Sequence, residues 1–234
     1  MRSKLPSGVG LGRIARQISD LITLPPFQKS VLVGLILSDG WLIRASSTSK
    51  NALFGFSQSI AKSEYVWFVF NILSHYCNKC PQLTSRKLKG NRHYALQIIT
   101  RSMLCFTELH SLFYPKGIKL IPRDMYNMLT PVALAHLIMG DGQNRERGLV
   151  LCTDSFTLEG VVLLVNVLII RYNFICTIRV NNPGQYRIYI SEKSMDSLRT
   201  IVSPFMVKSM LYKIDSSKKT KPHNKFKLEE GYTS

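Results

Sequence analysis

Residues 29–40, KSVLVGLILSDG, and residues 131–142, PVALAHLIMGDG, are apolar on almost every side of a helical wheel. A helix without a polar stripe has to be buried nearly all round, so the two segments predict central helices rather than surface ones. Each ends in Asp-Gly and gives way to a polar turn and extended segments. After the first come residues 41–48 and 51–60, which read as a hairpin with Phe54, Phe56 and Ile60 on one face. Residues 62–74 change to helical spacing, with Tyr65, Phe68, Val69 and Ile72 in the stripe. A second hairpin follows over 83–89 and 92–100, turning at Gly90-Asn91 and placing Tyr94, Leu96 and Ile98 on one side. A helix fits 101–113, and the Pro- and Gly-marked stretch 115–122 is a connector.

The second half repeats that order. Residues 148–155 are extended, 157–172 are helical, and 175–181 with 185–190 form a hairpin around Asn182-Pro183-Gly184. Cys176, Ile178 and Val180 alternate with Thr177, Arg179 and Asn181. On the return strand Tyr186, Ile188 and Ile190 alternate with Gln185, Arg187 and Tyr189, so one sheet face is core and the other carries donors with positive charge. Asp39 and Asp141 are 102 residues apart, and a repeat at that period outweighs either motif alone. The expected fold is α+β: two pseudo-twofold-related αββαββα repeats, with the motif helices packed at the centre and two antiparallel sheets. The expected boundaries are an N-terminal extension over 1–24, a first repeat over 25–114, a connector over 115–128, a second repeat over 129–214 and a basic tail over 215–234.

Charge then selects a partner. The 234 residues carry 31 Lys and Arg against 14 Asp and Glu, a formal +17, more than solubility requires. A field of that sign draws in a polyanion. Residues 79–101 hold Lys79, Arg86, Lys87, Lys89, Arg92 and Arg101 with no acid, and 218–227 adds five lysines. The most apolar run, 161–170, is about half the length that spans a bilayer and is interrupted by Asn166, so no membrane partner is expected. The five cysteines are odd in number and mostly sit in apolar segments, which points to buried thiols in a reducing compartment. The pair Cys77 and Cys80 lacks the second pair a zinc site needs. The glycines of 8-GVGLGR-13 follow no apolar strand, which excludes a dinucleotide-binding reading.

The central helices also carry the chemistry. Gly34 and Ser38 lie four apart on one helix, and His136 and Gly140 occupy the matching positions on the other, so small residues let the helices approach. Packed side by side, they deliver Asp39 and Asp141 to the same end. Two carboxylates forced together repel, and a divalent cation between them is the physical answer. Mg²⁺ takes carboxylate, carbonyl, water and phosphate oxygens and can activate a phosphodiester.

Segments 32-LVGLILSDG-40 and 134-LAHLIMGDG-142 resemble the two signature motifs of the single-chain LAGLIDADG homing endonucleases of the organellar, intron-encoded type. Residues 56-FSQS-59, 113-FYPKGIKLIP-122, 153-TDSFT-157 and 209-SMLYKI-214 are similar in order, so the likeness runs over about 25–214. It implies a monomer that lays two saddle-shaped sheets in the major groove of a long double-stranded DNA site. It implies hydrolysis of both strands across the minor groove, leaving 3′ overhangs, with Mg²⁺ or Mn²⁺; Ca²⁺ is expected to occupy the sites without supporting cleavage. By that resemblance Asp39 and Asp141 are the metal-binding acids, with the carbonyls of Ser38 and Gly140 as further ligands. Lys119 and Lys208 are the expected basic partners, with Lys116 a rival to Lys119, and Gln58 and Asp154 are the polar residues that order water or metal ligands. His136 stands where a small residue is usual and is read as packing. The outward sheet residues Arg44, Ser46, Lys87, Lys89, Arg92, Arg179, Gln185 and Arg187 are the expected DNA contacts. A second function in intron RNA splicing, or DNA binding without cleavage, is the alternative, and the mitochondrion, or else the chloroplast, is the expected location.

Overall fold

The computed structural model describes residues 7–215 apart from 11, 13, 45, 47, 48 and 89. Lys89 and the basic stretch 218–227 therefore lie outside the described residues. After a short helix α1 (Arg16–Leu21), the first half runs α2 (Pro26–Leu37), β1 (Gly40–Arg44), β2 (Ala52–Ser59), α3 (Ser63–Leu73), β3 (Gln82–Leu88), β4 (Asn91–Ile99) and α4 (Leu104–Phe113). A short helix α5 (Met125–Met128) leads into α6 (Pro131–Asp141), β5 (Gly142–Arg145), β6 (Gly148–Leu151), α7 (Leu158–Tyr172), β7 (Cys176–Asn182), β8 (Gln185–Ser191) and α8 (Met195–Val202). A 3-10 segment over Lys208–Lys213 ends the described chain.

The strands form two antiparallel four-stranded sheets, ordered β1-β2-β4-β3 and β5-β6-β8-β7, so the second repeats the topology of the first. The α+β, two-repeat expectation is met. Turn chemistry closes the outer hairpins: Gly90 and Gly184 have φ of 84° and 77°, a left-handed backbone that side chains disfavour. Two of the helices, α6 and α7, start at side-chain caps. Thr130 accepts from Ala133 N ahead of α6, with Pro131 in the first turn. Thr157 accepts from Gly160 N ahead of α7, which ends at left-handed Asn173.

One continuous core joins the halves. Every residue from Val31 to Leu37 on α2 and from Ala133 to Met139 on α6 is buried, as their all-round apolar character requires. Two details depart from the expected faces. Phe54 and Phe56 are fully buried, but Ile60 is 49% exposed because the strand ends at Ser59 and a 3-10 turn swings the next residue out. On α3 the buried stripe is Tyr65, Val66, Val69, Phe70 and Leu73, rotated by about one residue from the expected one, and Phe68 stands at its edge against His136, rings stacked 6.0 Å apart.

Candidate functional site

The approach of α2 and α6 is closer than any side chain at two positions allows. A Cβ on Gly34 would lie 2.2 Å from the carbonyl oxygen of Ala133 and 2.6 Å from the His136 Cβ. One on Gly140 would lie 2.3 Å from Ser38 Oγ and 3.0 Å from Asp39 Oδ2. Ser38 ends α2: its hydroxyl donates to Gly34 O at 3.0 Å and its amide to Leu35 O at 3.0 Å. Asp39 comes next and β1 starts at the following residue. Helix α6 runs on to Asp141, and β5 starts at Gly142. Both carboxylates therefore sit at the ends of the packed helices, where the two sheets begin.

Their surroundings are cationic but unequal. Gln58, buried on β2, donates its side-chain amide to Asp39 Oδ2. Lys119 Nζ donates to Ser38 O at 3.2 Å and Gly40 O at 3.4 Å and lies 5.5 Å from the Phe156 ring centroid. Lys116 is exposed, so Lys119 is the connector lysine that reaches the helix end. On the other side Lys213 Nζ donates to Gly140 O at 2.6 Å. Lys208, the expected counterpart, is exposed at the start of the 3-10 segment, which turns Lys213 rather than Lys208 inward. Burial raises the Asp141 carboxyl to about 6, helped by the charge of Asp39 and opposed by Lys213, Lys119 and Lys62. Burial, joined by the charge of Lys62, lowers Lys213 to about 8, against the pull of Asp39 and Asp141. Lys119 is also lowered by burial, against the pull of Asp141 and Asp39. Lys62, from the turn before α3, is thus a further cation at the site.

The donors fit a hard divalent cation. Asp39 and Asp141 supply two carboxylates, the neighbouring Ser38 and Gly140 carbonyls accept from Lys119 and Lys213, and no third Asp, Glu, His or Cys joins the acids among the described residues. That set suits Mg²⁺, which keeps water and phosphate oxygens in its shell and takes one or two protein carboxylates. His136 is not part of it. Its Nδ1 lies 2.9 Å from the Tyr65 hydroxyl, its ring stacks on Tyr65 and Phe68, and burial lowers it to about 3, so it is a satisfied packing residue.

The family model described as "LAGLIDADG DNA endonuclease family" matches residues 29–198. The chain belongs to this family. It is 32% identical over 197 residues to the cytochrome b mRNA maturase bI2 of Saccharomyces cerevisiae, covering 79% of this chain but 46% of that protein. The Debaryomyces hansenii protein of the same name is 31% identical over 211 residues, with 86% and 80% covered. Among solved structures, the homing endonuclease I-WcaI bound to its DNA recognition sequence matches with a TM-score of 0.80 at 28% identity, over 89% of this chain and 96% of that one.

The outer faces of the two sheets differ. Residues opposed in an antiparallel pair share a face. In the first sheet the pairs Arg44–Ala52 and Lys87–Arg92 fall on the face that holds Phe54, Phe56, Leu96 and Ile98; Ala52 is buried against α4, its amide donating to Thr107 Oγ1, whereas Lys87 and Arg92 are exposed. Arg44, Lys87 and Arg92 therefore share the core-side face rather than pointing outward as expected. The outer face carries Ser57, Gln97, Gln82, Thr84, His93 and Arg86, with the Trp41 indole lying over Gly55, where a Cβ would be 2.3 Å from the ring. Ser46 is exposed in the β1–β2 loop.

In the second sheet Arg179 and Arg187 are opposed on the outer face as expected. The Arg179 guanidinium stacks 3.6 Å above the Tyr189 ring, and Gln185 Oε1 accepts from Asn182 Nδ2 at 2.7 Å and from Asn181 Nδ2 at 3.3 Å. Asp154 does not repeat the role of Gln58. Gly40 pairs with Phe56 and Gly142 with Leu151, so the register equivalent of Gln58 is Thr153, which is buried and donates to Tyr186 O at 2.6 Å. Asp154 instead binds Arg187. Among the described residues no hydrogen bond reaches the Asp141 carboxylate. Lys213, Lys62 and this reassignment escaped the sequence reading. The one signal was that Lys119 and Lys213 are each flanked by apolar or aromatic neighbours, Ile118 and Leu120, Tyr212 and Ile214.

Proposed function

We propose that the protein is a site-specific homing endonuclease that hydrolyses a phosphodiester in each strand of a long double-stranded DNA target and leaves 3′ overhangs. The observation that carries this reading is the pair of carboxylates at the ends of two helices packed too closely for a side chain at Gly34 or Gly140. Asp39 and Asp141 would hold a divalent ion, assisted by the carbonyls of Ser38 and Gly140. A carbonyl oxygen has two lone pairs, so each can accept from its lysine and still face a metal. Mg²⁺ is the expected ion, with Mn²⁺ and Ca²⁺ as occupants of the same place and Ca²⁺ inactive; when bound, such an ion polarises the phosphodiester and makes water a stronger nucleophile.

The chain's own groups do the rest. Gln58 fixes the orientation of the Asp39 carboxylate. Lys119 and Lys213, both partly desolvated, offset negative charge as it grows on the phosphate, and Lys62 adds to that field beside Asp141. The outer sheet faces supply recognition. A monomer suffices, because one chain provides both acids and both sheets. The mitochondrion is the proposed compartment, with the chloroplast as the alternative, in keeping with relatives named as mRNA maturases and intron-encoded endonucleases.

The test is cleavage of a pooled double-stranded site library in Mg²⁺ by the wild type, Asp39→Asn and Asp141→Asn. Either substitution is expected to abolish cutting while binding persists. Binding without wild-type cleavage in Mg²⁺ or Mn²⁺ would transfer the assignment to a non-cleaving DNA-binding protein. A second reading, a cofactor of RNA splicing, is favoured by the identity to two proteins named as mRNA maturases. Retained splicing of the cognate intron by Asp39→Asn would separate that activity from cleavage.

A further inference from the structure

We propose that Arg187, clamped by Asp154, reads a guanine in the half-site beneath the second sheet, and that Asp154 is a positioning residue for recognition rather than part of the cleavage machinery. The inference rests on the reading above, that this sheet lies against DNA. Arg187 Nε lies 3.0 Å from both Asp154 carboxylate oxygens, and Nη2 lies 2.6 Å from Oδ2. A guanidinium has five N–H groups in a fixed plane. The carboxylate takes the side-on fork, made of Nε–H and one Nη2–H. The other Nη2–H and the inner Nη1–H remain as a parallel end-on pair. In the major groove only guanine presents two acceptors side by side, O6 and N7; adenine pairs an acceptor with a donor, thymine offers one acceptor and cytosine a donor.

Charge separates base reading from phosphate binding. An arginine neutralised by a bonded carboxylate has lost most of its attraction for a phosphate, and the carboxylate itself repels one, yet the directional N–H groups are unchanged. The pair is not sealed off: the two side chains keep 24% and 27% of their surface. Arg179, directly opposite Arg187 in the register, would make an unfavourable like-charge pair on one face. Asp154 offsets the charge of Arg187, and Arg179 is drawn aside onto Tyr189. The wild-type geometry thus holds Arg187 in one orientation at little entropic loss on binding.

The experiment is selection from a double-stranded library in EDTA, with the preferred base scored at every position of the recovered site. Wild type, Arg187→Ala, Arg187→Lys and Asp154→Ala are compared, each checked by thermal melting, and cleavage of the recovered site in Mg²⁺ is measured in parallel. The wild type is expected to fix guanine at one position on the second-repeat side. Arg187→Ala should lower that preference by roughly 10- to 100-fold and leave other positions unchanged, and Arg187→Lys should not restore it. Asp154→Ala should weaken the same single preference, by less than Arg187→Ala does, and leave the other positions unchanged. Uniform loss of affinity in Arg187→Ala, with the profile unchanged, would make Arg187 a phosphate contact and overturn the proposal. So would loss of cleavage in Asp154→Ala with guanine still fixed. Failure of the wild type to recover any site would overturn the DNA-recognition reading itself and this inference with it.

Discussion

On α6, burial pushes His136 and Asp141 in opposite senses, lowering the imidazole to about 3 and raising the carboxyl to about 6. The stability signs oppose as well. Neutral His136 contributes stability that is present above its unfolded value near 6.5 and lost as pH falls toward 3. Asp141 contributes stability that is present below its unfolded value near 3.8 and lost as pH rises through about 6. Between roughly pH 4 and 6 the two slopes offset each other. Thermal melting of the metal-free protein tests this: Asp141→Asn should lose melting temperature on acidification across that window more steeply than wild type, and His136→Gln should gain. Equal slopes for all three proteins would show that neither group titrates as buried. Because a proton on Asp141 competes with the ion it is proposed to hold, the Mg²⁺ concentration needed for half-maximal cleavage should rise as pH falls. At this scale the two acids were legible, because an apolar helix that ends in Asp-Gly twice at one period leaves little else for them to do. Lys213 was not, since Lys208 lies five residues away in the same segment and only the three-dimensional course of the 3-10 turn decides which faces in.

Among the elements, the two central helices and the alternation of β7 and β8 could be read directly, because apolar residues continue to the strand ends. The first sheet misled for a physical reason. Alternation sorts residues into two faces, but where β3 and β4 run past their helical cover the core-side face carries Lys87 and Arg92, and polarity no longer tells the faces apart. Close packing of α2 on α6 gives the sharpest test at this scale. Gly34→Ala sets a methyl against the fixed carbonyl of Ala133, which a backbone cannot yield to without moving the helices. It should destabilise by about 1–3 kcal/mol, as overpacking does, and reduce cleavage more than DNA binding, because the helix ends carry the acids while the sheets carry the contacts. Denaturant melts with paired binding and cleavage assays would check both parts; a stable, fully active Gly34→Ala protein would show that the helices are not in such contact.

For the molecule as a whole, the formal +17 predicts DNA affinity that falls linearly on a log–log plot against salt, by a slope close to the number of phosphates neutralised. Arg86→Ala, on the outer face, should reduce that slope by about one, and Asp154→Ala should leave it unchanged or raise it; filter binding or fluorescence anisotropy at several salt concentrations measures this. The 102-residue period made the doubled architecture visible in advance, but nothing in it revealed how far the halves have diverged. On the pseudo-twofold axis each helix position meets its own counterpart, Gly34 against His136 and Ser38 against Gly140, one small partner and one larger in each case. A dimer built from two copies of the first half would face glycine with glycine and serine with serine; one built from two second halves would drive histidine into histidine. The two helix faces thus complement each other and not themselves: at this spacing a second serine opposite Ser38 would collide as a Cβ on Gly140 does, so neither half is shaped to pair with its own copy.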